Sequence, residues 1–219
     1  MVRGRLISFE GIDGCGKSTQ IRLAADYLRE SGWDVKLLQE PGGTPAGERI
    51  RQILLSRSEQ PDPPEMDPLT EFLLFASSRA QLVKQVIKPL LEAGSTHRQT
   101  RISVLLDRFA DSSLAYQGYG RGLDLGFIRA VNRVATTDLT PDLTILFDIA
   151  PESALARLTG ATDRIERLGA PFFHRVRYGF LELAAAEPER WQVIDGAGDR
   201  DAVFNEVVKA LETRLQQNE

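Results

Sequence analysis

Gly11-Ile12-Asp13-Gly14-Cys15-Gly16-Lys17-Ser18 constrains this chain more than any other stretch. It follows a short apolar run, RLISFE, and opens an amphipathic pattern, TQIRLAADYLRESG, that ends at Gly32. A strand that turns through glycines into a helix aims successive backbone N–H groups at one centre, and the helix dipole strengthens the pull on an anion. Lys17 supplies a cation for the outer phosphates of a nucleotide, and the Ser18 hydroxyl is an oxygen ligand for Mg²⁺. The spacing G-x-x-x-x-G-K-[ST] arises by chance in such a chain on the order of once in a hundred. Here a strand and a helix flank it, so residues 11–18 are expected to bind ATP or GTP. Gly11, Gly14, Cys15, Gly16, Lys17, Ser18 and Thr19 are the candidates for that side. Cys15 reads as a small filling residue; the alternative is a reactive thiol activated by the helix start and Lys17.

Short apolar runs alternate with helical patterns along the rest of the chain. WDVKLL, ISVLLD, DLTILFDI and WQVID read as strands, with a loop at QEPGGTPAGE and a short helix to about Leu55. SRSEQPDPPEMDP is a proline-rich loop, and a long helical pattern from Leu69 to about Ala93 carries Pro89 near its end, where a bend is expected. Further helices are expected around 111–117 and 124–137. The alternation predicts an α/β fold with a parallel sheet covered on both faces, and ligands at the carboxyl ends of the strands. With 219 residues, one domain over 1–219 is expected.

Composition narrows the class. Hydrophobic residues make up 42% and charged residues 26%, and 27 Lys+Arg against 31 Asp+Glu give a net charge of −4. That disfavours a nucleic-acid surface. No run approaches the ~20 apolar residues of a membrane helix, and a single cysteine fits a reducing cytoplasm. The N-K-x-D guanine reader is missing. A kinase for a small acceptor needs further positive charge, and Arg79, Arg108 and Arg164 stand where it is expected. Asp107, ending an apolar strand, can reach Mg²⁺ or its water shell; the alternative is a cap. Arg108 follows it at the strand's carboxyl edge, as a phosphate clamp would. Phe75 lies one helical turn before Arg79, so a stacking ring and an arginine share a face.

FEGIDGCGKSTQ, EPGGTPAGE, LLFASSRAQLV, LLDRFADSSLAYQGYGRG and DRIE, in that order, resemble bacterial thymidylate kinases over residues 5 to 215. The resemblance implies a P-loop kinase fold with a five-stranded parallel sheet, a mobile lid over about 157–168, and a homodimer. It implies transfer of the γ-phosphoryl group of ATP to dTMP. By position in the motifs, Phe75 stacks on thymine, Arg79 contacts the base edge or the acceptor phosphate, and Arg108 clamps that phosphate. Ser113 and Gln117 lie near the base, Tyr116 beside the sugar, and Glu40 and Pro41 along the acceptor pocket. Asp13 is placed near the 3′-hydroxyl, with a turn cap as the alternative. His97 and His174 fall in no motif that needs them.

The sequence departs from the family in places. Some members carry a basic residue in the phosphate loop; here that position is Gly14. The lid, RLTGATDRIER, must then supply the charge, with Arg164 expected at the transition state and Arg157 beside the adenine. The alternative for Arg164 is an ion pair with Asp163 or Glu166. Gln39 replaces a common arginine, and STHRQTR, residues 95–101, reads as an inserted surface loop. A related deoxynucleotide or deoxynucleoside kinase and a catalytically silent nucleotide-binding module are the other readings.

Overall fold

The computed structural model describes residues 4–55, 66–96, 101–158 and 163–216. Five strands form one parallel sheet: β1 (Arg5–Glu10), β2 (Trp33–Gln39), β3 (Arg101–Asp107), β4 (Leu143–Asp148) and β5 (Trp191–Asp195), in the order β2-β3-β1-β4-β5. Side chains of β1 and β3 alternate between two cores, as a strand covered on both faces requires. Ile7, Phe9 and Leu105 enter one; Leu6, Val104 and Leu106 enter the other, with Leu82, Val83 and Ile87.

The first core is closed by α1 (Lys17–Glu30), α8 (Gly169–Ala186) and α9 (Arg200–Gln216). Helices α2 (Pro45–Leu55) and α3 (Pro68–Leu82) pack together beside the sheet's carboxyl edge. Asp67 starts α3 by accepting from the N–H groups of Leu69 and Thr70, with Pro68 in the first turn, where its missing N–H costs nothing. Near Pro89, where a bend is expected, the helix is interrupted by a π-turn. This turn, Val83–Ile87, links α3 to α4 (Lys88–Thr96), and Lys88 N–H bonds back to Val83 O. Pro89 cannot donate to residue 85, and the widened turn before it makes room for the ring.

The helix expected at 111–117 is α5 (Ala110–Ser113) followed by a π-turn, Leu114–Gly120; α6 (Leu125–Thr136) and α7 (Pro151–Ala156) complete the count among the described residues. Most of the proline-rich loop, residues 97–100 of the expected insertion with His97, and residues 159–162 of the expected lid lie outside the described residues.

Candidate active site

Parallel register brings three strand ends to one edge. Asp107 of β3 pairs with Phe9 of β1 and with Gln39 of β2, so Glu10, Gln39 and Asp107 arrive together. The connection from β1 runs to β2 on one side and that from β3 runs to β4 on the other, and the crevice opens at the switch point between these neighbouring strands. It is a cleft of about 570 Å³.

The loop after β1 forms its donor side. Gly16 caps α1 in a left-handed backbone (φ 97), and Gly14 is left-handed too (φ 80). A Cβ on Gly14 would run into the carbonyl of Ala154 in α7. The glycine is therefore required by close packing, and a basic side chain at this position would meet the same obstacle. Lys17 Nζ donates to the carbonyls of Gly11 and Ile12, each at 3.0 Å. Ser18 Oγ donates to Asp107 Oδ2 at 3.3 Å, so the two expected Mg²⁺ ligands are neighbours. No group of three or more His, Cys, Asp or Glu side chains suited to a metal occurs among the described residues. A hydroxyl and one carboxylate still suit Mg²⁺, which takes few protein oxygens and completes its shell with water and phosphate. Gly14, Gly16, Lys17, Ser18 and Thr19 line the cleft, whereas Cys15 is buried beneath it.

Arg108 stands between the two halves. Its backbone is left-handed (φ 73), a conformation that disfavours a non-glycine residue by about 1–2 kcal/mol. Its side chain is held on several sides: Nη1 donates to Gly11 O at 2.9 Å, and Nη2 to Asp13 Oδ1 at 2.6 Å and Tyr116 Oη at 2.9 Å. The guanidinium also lies 4.8 Å from the centre of the Tyr116 ring. Tyr116 Oη in turn donates to Asp13 Oδ2 at 2.9 Å. Burial opposes ionisation of Asp13, but Arg108, Lys17 and the bond from Tyr116 outweigh it and hold the carboxyl below its ordinary value.

Below this triad lies Glu10, fully buried, accepting from Phe109 N–H at 2.7 Å and from Ser112 Oγ at 2.6 Å. Burial and the negative charge of Asp111 push its carboxyl up to about 8, against the opposing pull of Ser112 and Arg108. These bonds fix the start of the segment that delivers Ser113, Tyr116 and Gln117 to the cleft.

The acceptor side is assembled from separate elements. Phe75 is half-buried on the cleft wall. Arg79, only 1% exposed, forms the floor: Nε donates to Glu40 Oε2 at 2.8 Å, Nη1 to Asn132 Oδ1 at 2.7 Å and Nη2 to Ser113 Oγ at 3.0 Å. Glu40 Oε1 is buried with no hydrogen-bond partner, and burial raises this carboxyl despite Arg79. Gln117 Nε2 donates to Glu71 Oε1 at 2.9 Å. Pro41, Ser113, Tyr116 and Gln117 also line the wall.

Arg157 and Arg164, the two lid arginines given roles, part company. Arg157 lines the cleft and donates to Gly196 O, after β5, at 2.9 Å. Arg164 does not line it. It is expected at the transition state, with an ion pair to Asp163 or Glu166 as the alternative; its partner is instead Glu71, whose Oε2 lies 2.7 Å from Arg164 Nη1. Asp163 instead caps the following turn through Oδ1, which accepts from the N–H groups of Ile165 and Glu166. His174 meets Glu152 on the surface, away from the cleft.

Several cleft residues had no signal as such in the sequence. Arg51 lines the cleft and donates to Pro41 O at 2.9 Å; in ERIRQILL it reads as a solvated helix arginine. Asp163 and Glu166, quoted in DRIE but given no role at the cleft, also line it. Asn132, behind the cleft wall, accepts from Arg79 and donates to Ala110 O, and its trace in the sequence is a polar residue on the buried face of α6.

The sheet order, the glycine loop between β1 and α1, and the Lys17–Ser18 pair define a P-loop NTPase fold. The thymidylate kinase family model matches residues 9–207. A thymidylate kinase of Caldanaerobacter subterraneus subsp. tengcongensis is 47% identical over 98% of both chains, and one of Deinococcus radiodurans is 45% identical over 98% of this chain and 99% of its own. The crystal structure of thymidylate kinase from Ehrlichia chaffeensis superposes with a TM-score of 0.72 at 34% identity, covering 95% of this chain and 99% of that one. The chain belongs to the thymidylate kinase family.

Proposed function

We propose that this chain transfers the γ-phosphoryl group of ATP to dTMP, giving dTDP. The observation that carries the reading is a single cleft in which a phosphate loop and an Arg79–Glu40–Gln117 pocket face each other across Arg108. The acceptor's phosphate is a monoester whose second pKa is about 6, so it presents an ionised oxygen at neutral pH and needs no strong base. What remains is alignment and neutralisation of two anions.

In this reading the loop amides and Lys17 hold the ATP phosphates, and Arg108 holds the phosphate of dTMP. Ser18 and Asp107 would hold Mg²⁺, which would supply positive charge against the outer phosphates. Phe75 stacks on thymine, with Gln117 and Ser113 at its edge. Glu40 and Pro41 flank the acceptor. Asp13, kept ionised by Arg108, accepts the 3′-hydroxyl, and Tyr116 crowds the sugar where a ribose would carry its 2′-hydroxyl. Arg157 serves the adenine side. Since Gly14 admits no side chain, charge at the transferring group comes from Lys17 and Arg108.

A homodimer in the cytoplasm completes the proposal. Leu69 and Leu73 on α3 and Phe127 on α6 are exposed, and those helices adjoin. A second copy on that face would bury them; light scattering should give twice the chain mass, and a monomer would refute it. No helix among the described residues is long and apolar enough to cross a membrane.

The decisive test is a coupled assay of the purified protein with ATP and a panel of monophosphates. Strong preference for dTMP supports the reading. Comparable rates with dTMP, dCMP and AMP would contradict it, as would binding of ATP and dTMP without dTDP.

A further inference from the structure

Glu71 belongs to the first turn of α3, where a carboxylate ordinarily faces solvent and complements the helix dipole. Here it is 1% exposed. One carboxylate gathers three side chains from two other parts of the chain. Oε1 accepts from Gln117 Nε2 at 2.9 Å; Oε2 accepts from Arg121 Nη2 at 2.9 Å and lies 2.7 Å from Arg164 Nη1. Burial opposes its ionisation, but Gln117 and Arg121, with Arg164 behind them, outweigh that and keep the carboxyl below its ordinary value. Arg164 also donates through Nε to Leu54 O, the last residue but one of α2, at 3.2 Å. It is anchored twice on the acceptor side of the molecule.

The residues around Arg164 face the other way: Asp163, Ile165 and Glu166 line the cleft. Arg164 therefore holds that segment against the cleft, and the carboxylate that holds Arg164 also orients Gln117. Arg164 does not line the cleft, and its Nη1 and Nε are directed to Glu71 and to Leu54 O, away from a transferring phosphate.

We propose that Glu71 is a positioning residue that couples Gln117 to the 163–166 segment, with Arg164 acting as its latch and not as the transition-state arginine. The proposal rests on the reading of Gln117 as a base-edge residue. An acceptor nucleotide that fixes Gln117 fixes the carboxylate on which Arg164 docks. By reciprocity, a docked Arg164 favours the acceptor.

The test is a double-mutant cycle on the full chain with Arg164→Gln and Glu71→Gln, reading dTMP affinity by calorimetry without ATP, then kcat and KM. Coupling of ordinary size predicts that Arg164→Gln weakens dTMP binding roughly 5- to 20-fold. Glu71→Gln should weaken it at least as much, and the double variant should be no worse than Glu71→Gln alone. Multiplying effects would overturn the latch. So would an Arg164→Gln variant with unchanged dTMP affinity and a large loss of kcat, which is the signature of a transition-state residue. If Glu71→Gln does not fold, the calorimetry of Arg164→Gln alone decides by the same criterion. A wild-type chain that binds no dTMP would overturn the functional reading and the latch together, whereas failure of the variants alone overturns only the latch.

Discussion

The two sides of the cleft are built by different means. The proposed donor side is one contiguous stretch, residues 11–19, whose shape is set by glycines and whose binding groups would be mostly backbone amides. The acceptor side is a network of side chains drawn from the β2 edge, α3, the π-turn after α5, and α6. Backbone groups are supplied by any sequence that can take the turn, so the donor side depends on conformation. Side-chain networks depend on every partner being present, because each buried polar group left alone is costly. For ATP binding, the donor side should therefore depend on its glycines, Lys17 and Ser18, and tolerate changes at its other side chains. The acceptor side should fail when any member is removed.

Lys17→Ala tests the exception on the donor side. Removing the cation at the outer phosphates should cut kcat/KM by about 10³-fold, in the range of lost transition-state electrostatics, while the unfolding midpoint stays near wild type. Arg79→Met probes the other side. It leaves Glu40 buried without its cation, so urea unfolding should show a loss of about 3–5 kcal/mol, and adding Glu40→Gln should restore part of it. If Arg79→Met changed only KM, the network description of the acceptor side would be wrong.

Gly14→Ala asks whether conformation alone governs the loop. The new Cβ would stand against the Ala154 carbonyl in a left-handed backbone, and the expected cost is about 1–3 kcal/mol with weakened ATP binding. An unaffected variant would mean that the loop yields easily.

A pH-dependent effect concerns Glu10, which is buried beside Arg108. Its carboxyl is near 8 in the folded chain against an ordinary 4.5. Between those values the folded protein keeps a proton that the unfolded chain has released, so stability falls as pH rises through that window. Glu10→Gln should flatten the decline in thermal midpoint between pH 5 and about 8. An unchanged slope would assign the decline to other groups.

The same contrast governs what the sequence reveals. Gly11 to Thr19 could be read as a phosphate cradle because spacing along the chain and position in space coincide there. Phe75 and Arg79 could be paired because one helical turn separates them. Arg108 could be placed because strand ends converge, yet nothing in the sequence signals its left-handed backbone. Glu71, Asn132 and Arg51 were not legible as site residues, since each gains its role from partners far along the chain. Arg164 shows the limit most plainly. Its motif puts it near the cleft, but only the packing of α3 beside the 163–166 segment turns it onto Glu71. The π-turns were equally hidden, because their hydrophobic pattern is that of a helix.

One measurement reaches the central claim that both sides belong to a single cleft spanned by Arg108. A dinucleotide joining adenosine and thymidine through five phosphates should bind far more tightly than either substrate and compete with ATP and with dTMP alike. Competition with only one of them would contradict the account.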